Sequence, residues 1–196
     1  MFQIRVHGRG GQGVVTTAEL LSVAAFAEGR YAQAFPTFGS ERTGAPVVGY
    51  CRIDDLPIRS HEPVGKPDAV LIQDATLLHQ VDVFDGLDTD GYLLINTSRD
   101  LAALGLADYV QRFARDRVMT VPASELALKH LGRPLPGAVL LGAFAALTGE
   151  VDVASVNKAI RERFSGSVAA GNVAAADEAY DHVRAQLEER VRAQAD

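Results

Sequence analysis

His7-Gly8-Arg9-Gly10-Gly11-Gln12-Gly13 separates an alternating segment, Phe2-Gln3-Ile4-Arg5-Val6, from an apolar run of helical length, Val14 to Ala27. The pattern reads as strand, tight turn and helix. Glycine lets the backbone take φ > 0 and approach a neighbour with no Cβ in the way. The N–H groups that open the following helix, with its dipole, suit a phosphate or another anion. Gly8, Gly10 and Gly13 satisfy G-x-G-x-x-G in the setting that a dinucleotide fingerprint requires. That fingerprint also asks for an acid about 20 residues further on, to hold a ribose hydroxyl. Tyr31-Ala32-Gln33-Ala34-Phe35-Pro36 offers none, and Glu28 comes too early, in the last helical turn. An ordinary NAD site is disfavoured; an anion-binding or subunit-docking loop is not. Arg9 is expected to bring positive charge to its mouth, and Gln12 an amide beside a diphosphate. The competing reading is a packing turn without a ligand.

Beyond the helix, an irregular segment runs from Phe35 to Pro46, and its Ser40, Glu41 and Arg42 form a second candidate site. The Arg42 fork matches a phosphate or carboxylate, with Glu41 holding it in place; the alternative is a solvated ion pair. Val47 to Ile53 reads as a strand, Asp54-Asp55 as a turn, and Leu56 to Ser60 as a returning hairpin arm. Ala69–Gln73, Tyr92–Asn96 and Arg117–Val121 are apolar runs of the kind buried in parallel sheets. Asp74 or Thr76 is placed to cap a following helix, and Ser124 one through Leu131. Pro136-Gly137 opens an apolar helix through Leu147, Asp152 caps Val153 to Phe164, and a last helix spans Asn172 to Ala193. This rhythm predicts a three-layer α/β/α fold, a mostly parallel Rossmann-like sheet with a helical C-terminal third, in a single domain over 1–196.

Composition narrows the function. With 25 acids, 19 Lys and Arg and a net charge of −6, the chain lacks the basic balance of a nonspecific nucleic-acid binder. The longest apolar stretch, Ala138 to Leu147, is too short to span a membrane, and no basic-then-apolar leader precedes the first strand. A cytoplasmic protein is expected. The single cysteine, Cys51, excludes an intramolecular disulfide and cannot ligate an iron–sulfur cluster alone. It reads as a small buried hydrophobe. His7, His61, His79, His130 and His182 show no metal-ligand spacing; His7, beside the glycines, reads as packed and hydrogen-bonded. Val14-Val15-Thr16 stands where a P-loop would carry its lysine, and no serine has nucleophile-elbow context. No catalytic residue and no metal ligand is expected.

Gly8-Arg9-Gly10-Gly11-Gln12-Gly13 followed by Phe35-Pro36-Thr37-Phe38-Gly39-Ser40-Glu41-Arg42-Thr43-Gly44-Ala45-Pro46 resembles the gamma subunit of 2-oxoacid:ferredoxin oxidoreductases. The likeness continues through Pro136-Gly137-Ala138-Val139-Leu140-Leu141-Gly142-Ala143 and the helix from Val153 to Phe164, nearly the whole chain. Thr43 departs from it, since many relatives carry arginine or glycine there. The resemblance implies a complex that decarboxylates a 2-oxoacid on thiamine diphosphate with magnesium, passes electrons through 4Fe-4S clusters and makes an acyl-CoA. It implies alpha, beta and ferredoxin-like delta-type partner subunits, and ferredoxin or an NAD-reducing flavin subunit as acceptor. This chain would hold none of those cofactors. It would pack on the catalytic core, with Gly8, Gly10, Gly11, Gln12, Gly13, Ser40, Glu41 and Arg42 lining the coenzyme A region. Two rivals remain at this point: a stand-alone Rossmann-type oxidoreductase binding NAD(P) or flavin, and a purely structural subunit.

Overall fold

The computed structural model describes residues 1–36 and 43–195. Its centre is a six-stranded sheet built from β1 (Phe2–Arg9), β2 (Tyr31–Pro36), β3 (Pro46–Asp54), β4 (Ala69–Ile72), β5 (Tyr92–Asn96) and β6 (Val118–Val121), in the order β2-β3-β1-β4-β5-β6. β1, β4, β5 and β6 run parallel, while β3 is antiparallel to both β1 and β2. The mostly parallel α/β architecture expected from the sequence is present, with corrections. Tyr31–Pro36 is an edge strand, where the sequence reading assigns no element to Tyr31–Ala34 and an irregular segment from Phe35; its half-exposed residues carry no buried-strand signal. Leu56 to Ser60 forms no strand. β3 already has β2 on one side and β1 on the other, so a returning arm finds no free hydrogen-bonding edge.

The long helices cover one face: α1 (Val14–Ala27), α3 (Ala123–Leu131), α4 (Gly137–Thr148), α5 (Val153–Arg163) and α6 (Gly166–Ala195). α4 is buried from Gly137 to Leu147 because it lies within this layer, packed by α1, α5 and α6. It crosses α6 so closely that a Cβ on Gly142 would stand 2.0 Å from the Ala176 carbonyl oxygen. α6 begins at Gly166, earlier than expected. Asn172 does not start it; its amide donates back to the Val168 carbonyl at 2.9 Å from inside the helix. The other face is covered by a thinner layer: a 3₁₀ turn (Ala75–His79), the short α2 (Ala107–Val110) and turns between them. From that layer Leu77, Val83, Leu87, Leu104 and Phe113 pack onto Val70, Ile72, Leu93 and Ile95.

Capping also departs from expectation. Ser124 lies inside α3, and Asn96 at the end of β5 receives its N–H at 3.0 Å and donates to its hydroxyl at 2.8 Å. Asp152 precedes α5 without a side-chain cap bond; its own N–H donates to Glu28 at 2.8 Å. Asp74 does cap, accepting the Thr76 N–H at 3.0 Å, but opens the 3₁₀ turn. Among the described residues, no helix is long and apolar enough to cross a membrane.

Candidate functional site

β1 runs on through Arg9 because β3 pairs with it as far as Pro46. The turn into α1 is therefore Gly10 to Gly13, and φ is positive at Gly11 (94°) and Gly13 (72°). Gly8 serves close packing instead, since a Cβ there would lie 2.6 Å from Val14 Cγ2 and 2.9 Å from Gln73 Oε1. Gly10 donates its N–H to Ala45 at 2.9 Å and accepts that of Gly44 at 3.0 Å. Those bonds bring the end of the second motif, Gly44 and Ala45, beside the first. Ser40, Glu41 and Arg42 themselves lie outside the described residues.

The two side chains expected at the mouth are engaged within the protein. Arg9 donates from Nε to Asp74 (3.1 Å), from one terminal nitrogen to the Gly44 carbonyl (3.0 Å), and from the other to Thr76 (2.6 Å) and Gln80 (2.9 Å). Gln12 accepts the Arg9 N–H at 2.8 Å and donates to Asp74 at 2.9 Å. Burial pushes the Asp74 carboxyl up, but hydrogen bonds from Thr76 and Gln12 and the charge of Arg9 outweigh it and hold it below the usual range. Asp74 is thus an ionised anchor that fixes the loop.

What the loop presents outward is backbone. α1 follows Gly13 with no side-chain cap and no acid in its first turn, and this uncapped end, through Gly11, Gln12, Gly13 and Thr16, borders an open cavity of about 440 Å³. Arg133 from the α3–α4 connection and Arg163 from the last turn of α5 line the same cavity. Neither is in an ion pair among the described residues. Leu20, Leu135, Phe164 and Val168 supply apolar wall, and Thr16 and Asn172 polar groups. At its base, Thr17 donates to the Gly13 carbonyl at 3.0 Å and accepts from Gln73 at 2.6 Å. Gly137 fits there because a Cβ would stand 2.3 Å from the Thr17 hydroxyl. An anionic head on the α1 terminus and the arginines, with an apolar tail along the leucines and Phe164, suits this shape.

The two arginines were not legible as site residues. Arg133-Pro134-Leu135-Pro136-Gly137 carried one usable signal: a cation in a proline-stiffened loop before a glycine-opened apolar helix. Arg163 reads only as a basic residue complementing a helix C-terminus. His7 is packed as expected, but its Nε2 has no hydrogen-bond partner among the described residues. Burial, then the charge of Arg5, pushes its pKa down to about 3. Cys51 is fully buried, and burial raises its thiol to about 12. No group of three His, Cys, Asp or Glu among the described residues is placed to hold a metal ion.

Residues 3–182 match the family model described as pyruvate ferredoxin/flavodoxin oxidoreductase. The chain is 51% identical over 161 residues to the pyruvate synthase subunit PorC of Methanosarcina barkeri, covering 82% of this chain and 85% of that one. It is 44% identical to the pyruvate/ketoisovalerate oxidoreductases common subunit gamma of Pyrococcus abyssi, covering 92% and 96%. Among solved structures, pyruvate oxidoreductase subunit PORC of Thermotoga maritima superposes with a TM-score of 0.77 at 35% identity, covering 92% and 95%. These likenesses, spread over the glycine corner and all the layers packed around it, place the chain in the pyruvate ferredoxin/flavodoxin oxidoreductase family as a gamma-type subunit of a multi-subunit 2-oxoacid oxidoreductase.

Proposed function

We propose that the chain serves a thiamine-diphosphate-dependent complex that oxidatively decarboxylates a 2-oxoacid to an acyl-CoA, and that its glycine corner binds the coenzyme A diphosphate. The cavity shared by α1's uncapped N-terminal end, Arg133 and Arg163 carries this reading. A diphosphate gains backbone N–H donors, the helix dipole and two guanidinium forks, while the pantetheine arm lies along Leu135, Phe164 and Val168. Its part is binding and orientation, holding the thiol-bearing arm at a fixed distance from a carbonyl carbon on neighbouring subunits. When bound in the complex, thiamine diphosphate supplies the carbanion chemistry and 4Fe-4S clusters carry electrons to ferredoxin or an NAD-reducing flavin subunit. One cysteine, fully buried in β3, does not fit a cluster's four-thiolate ligand set, so the cluster ligands lie on the delta-type and other partner chains.

A stand-alone NAD(P) enzyme is less well supported. In the dinucleotide fold the strand after the first helix lies beside β1 and ends in the ribose acid. Here antiparallel β3 occupies that place, and β2 ends in Pro36 at the sheet edge. A purely structural subunit is favoured by one observation, the inward engagement of Arg9 and Gln12. Anaerobic native purification, with mass spectrometry and dye reduction, tests the proposal. It predicts co-purifying thiamine-diphosphate-binding and cysteine-rich chains, and activity requiring both 2-oxoacid and CoA. A chain that purifies alone with a bound nucleotide would contradict it.

A further inference from the structure

On the face of β1 turned away from the long helices, Arg5 and His7 line a second cavity of about 230 Å³, bounded also by Val48, Tyr50, Leu77, Val81 and the exposed Asp82. Both polar side chains are more than nine-tenths buried, 6% and 5% exposed. One terminal nitrogen of Arg5 donates to the carbonyls of Val83 and Asp85, but among the described residues its Nε has no partner, and neither has His7 Nε2. No carboxylate among the described residues lies within ion-pair distance of Arg5; Asp85 and Asp82 act on it only through space.

Buried charges are ordinarily paired, and buried N–H groups ordinarily find an acceptor. Here a guanidinium and an imidazole with unmatched nitrogens line one cavity whose remaining wall is aliphatic apart from Tyr50 and the solvent-facing Asp82. A chloride would answer the charge and leave that wall bare. A compact, strongly polar anion such as sulfate would set its outer oxygens against that aliphatic wall without hydrogen-bond partners. We infer that this cavity binds a short aliphatic carboxylate, its oxygens accepting from Arg5 Nε–H and His7 Nε2–H and its alkyl end resting on Leu77 and Val81. The imidazole then takes the Nε2–H tautomer. A bound anion opposes the burial and the Arg5 charge that keep His7 neutral, so binding raises the His7 pKa. The carboxylate is either a diffusible acid or an Asp or Glu side chain of a neighbouring subunit. This site lies on the opposite face of β1 from the glycine-corner cavity and does not depend on the coenzyme A reading.

The test is an NMR titration of the full chain, isotope-labelled at histidine, with sodium propionate against sodium chloride at equal ionic strength. His7→Gln assigns the His7 ring signal. Propionate should shift the His7 ring saturably, raise its pKa and leave the other histidines unmoved; chloride should do neither. Affinity should fall at least about tenfold in Arg5→Gln. Val81→Phe, which fills the cavity from its rim and spares both polar groups, should weaken binding as much, guarding against an Arg5 variant that fails to fold. An unmoved His7 signal, an equal response to chloride, or binding retained in Val81→Phe overturns the inference. Equilibrium dialysis of labelled propionate against the assembled complex then separates the sources. Uptake sensitive to Val81→Phe identifies a diffusible acid; loss of uptake that the free chain shows identifies a neighbour's carboxylate.

Discussion

On one face of β1, Ile4 and Val6 are fully buried against the helical layer, and Gly8 leaves room for Val14. On the other, Gln3, Arg5, His7 and Arg9 follow one another along the same strand. Gln3 accepts from Arg52 at 3.2 Å, and its backbone N–H donates to Asp68 at 2.7 Å. Arg5 holds the Val83 and Asp85 carbonyls, and Arg9 holds Asp74, Thr76 and Gln80. The helical face is organised by volume and the thin face by hydrogen-bond partners. Where a sheet is covered by long apolar helices, its residues need only fit. Where turns cover it, the strand's polar side chains must catch free carbonyls and acids to hold those turns down.

Several substitutions bear on that contrast. Ile4→Ala removes a fully buried side chain from the volume-organised face and should cost about 2–5 kcal/mol in denaturant unfolding. A cost under about 1 kcal/mol would mean that this face is not tightly packed. On the polar face, His7 falls from an ordinary 6.5 when unfolded to about 3 when folded. The unfolded chain therefore takes up the proton first as pH drops. Stability should be full above about pH 6.5 and decline toward pH 3, by on the order of 3 kcal/mol at pH 4. Acids elsewhere titrate in the same range, so the comparison is with His7→Gln, whose urea midpoint should change less between pH 7 and pH 4. Parallel curves for the two proteins would show that His7 is not held neutral.

Arg9→Met keeps some of the aliphatic stem but loses the bonds to Asp74, Thr76, Gln80 and the Gly44 carbonyl. Arg9 is partly exposed, so the expected loss is about 1–2 kcal/mol. Faster amide exchange should follow at Gly10 and Gly44, with little change at β5.

Much of the fold could be read in the chain. Strand, glycine turn and α1, the buried runs of β4 and β5, and the all-apolar α4 carried unambiguous periodicity or length. β2 does not stand out in the sequence because an edge strand with half-exposed residues gives neither a continuous apolar run nor a burial contrast. Ser124 was given a capping role that Asn96 performs from a strand far away in sequence, and local pattern cannot show such a partner. The glycine half of the candidate site was readable from its setting. Arg133 and Arg163 were not, because only the packing of α4 and α5 beside α1 brings them to Gly13.

The most direct measurement is the apparent KM for coenzyme A in the assembled complex carrying Arg133→Ala and Arg163→Ala together. Both side chains are exposed and, among the described residues, outside ion pairs, so stability should stay within about 0.5 kcal/mol of the parent. The account predicts a KM for coenzyme A raised at least about tenfold, with the KM for the 2-oxoacid and the subunit composition unchanged. An unchanged KM for coenzyme A in an intact complex would contradict it, and would leave the glycine corner as a surface for packing alone.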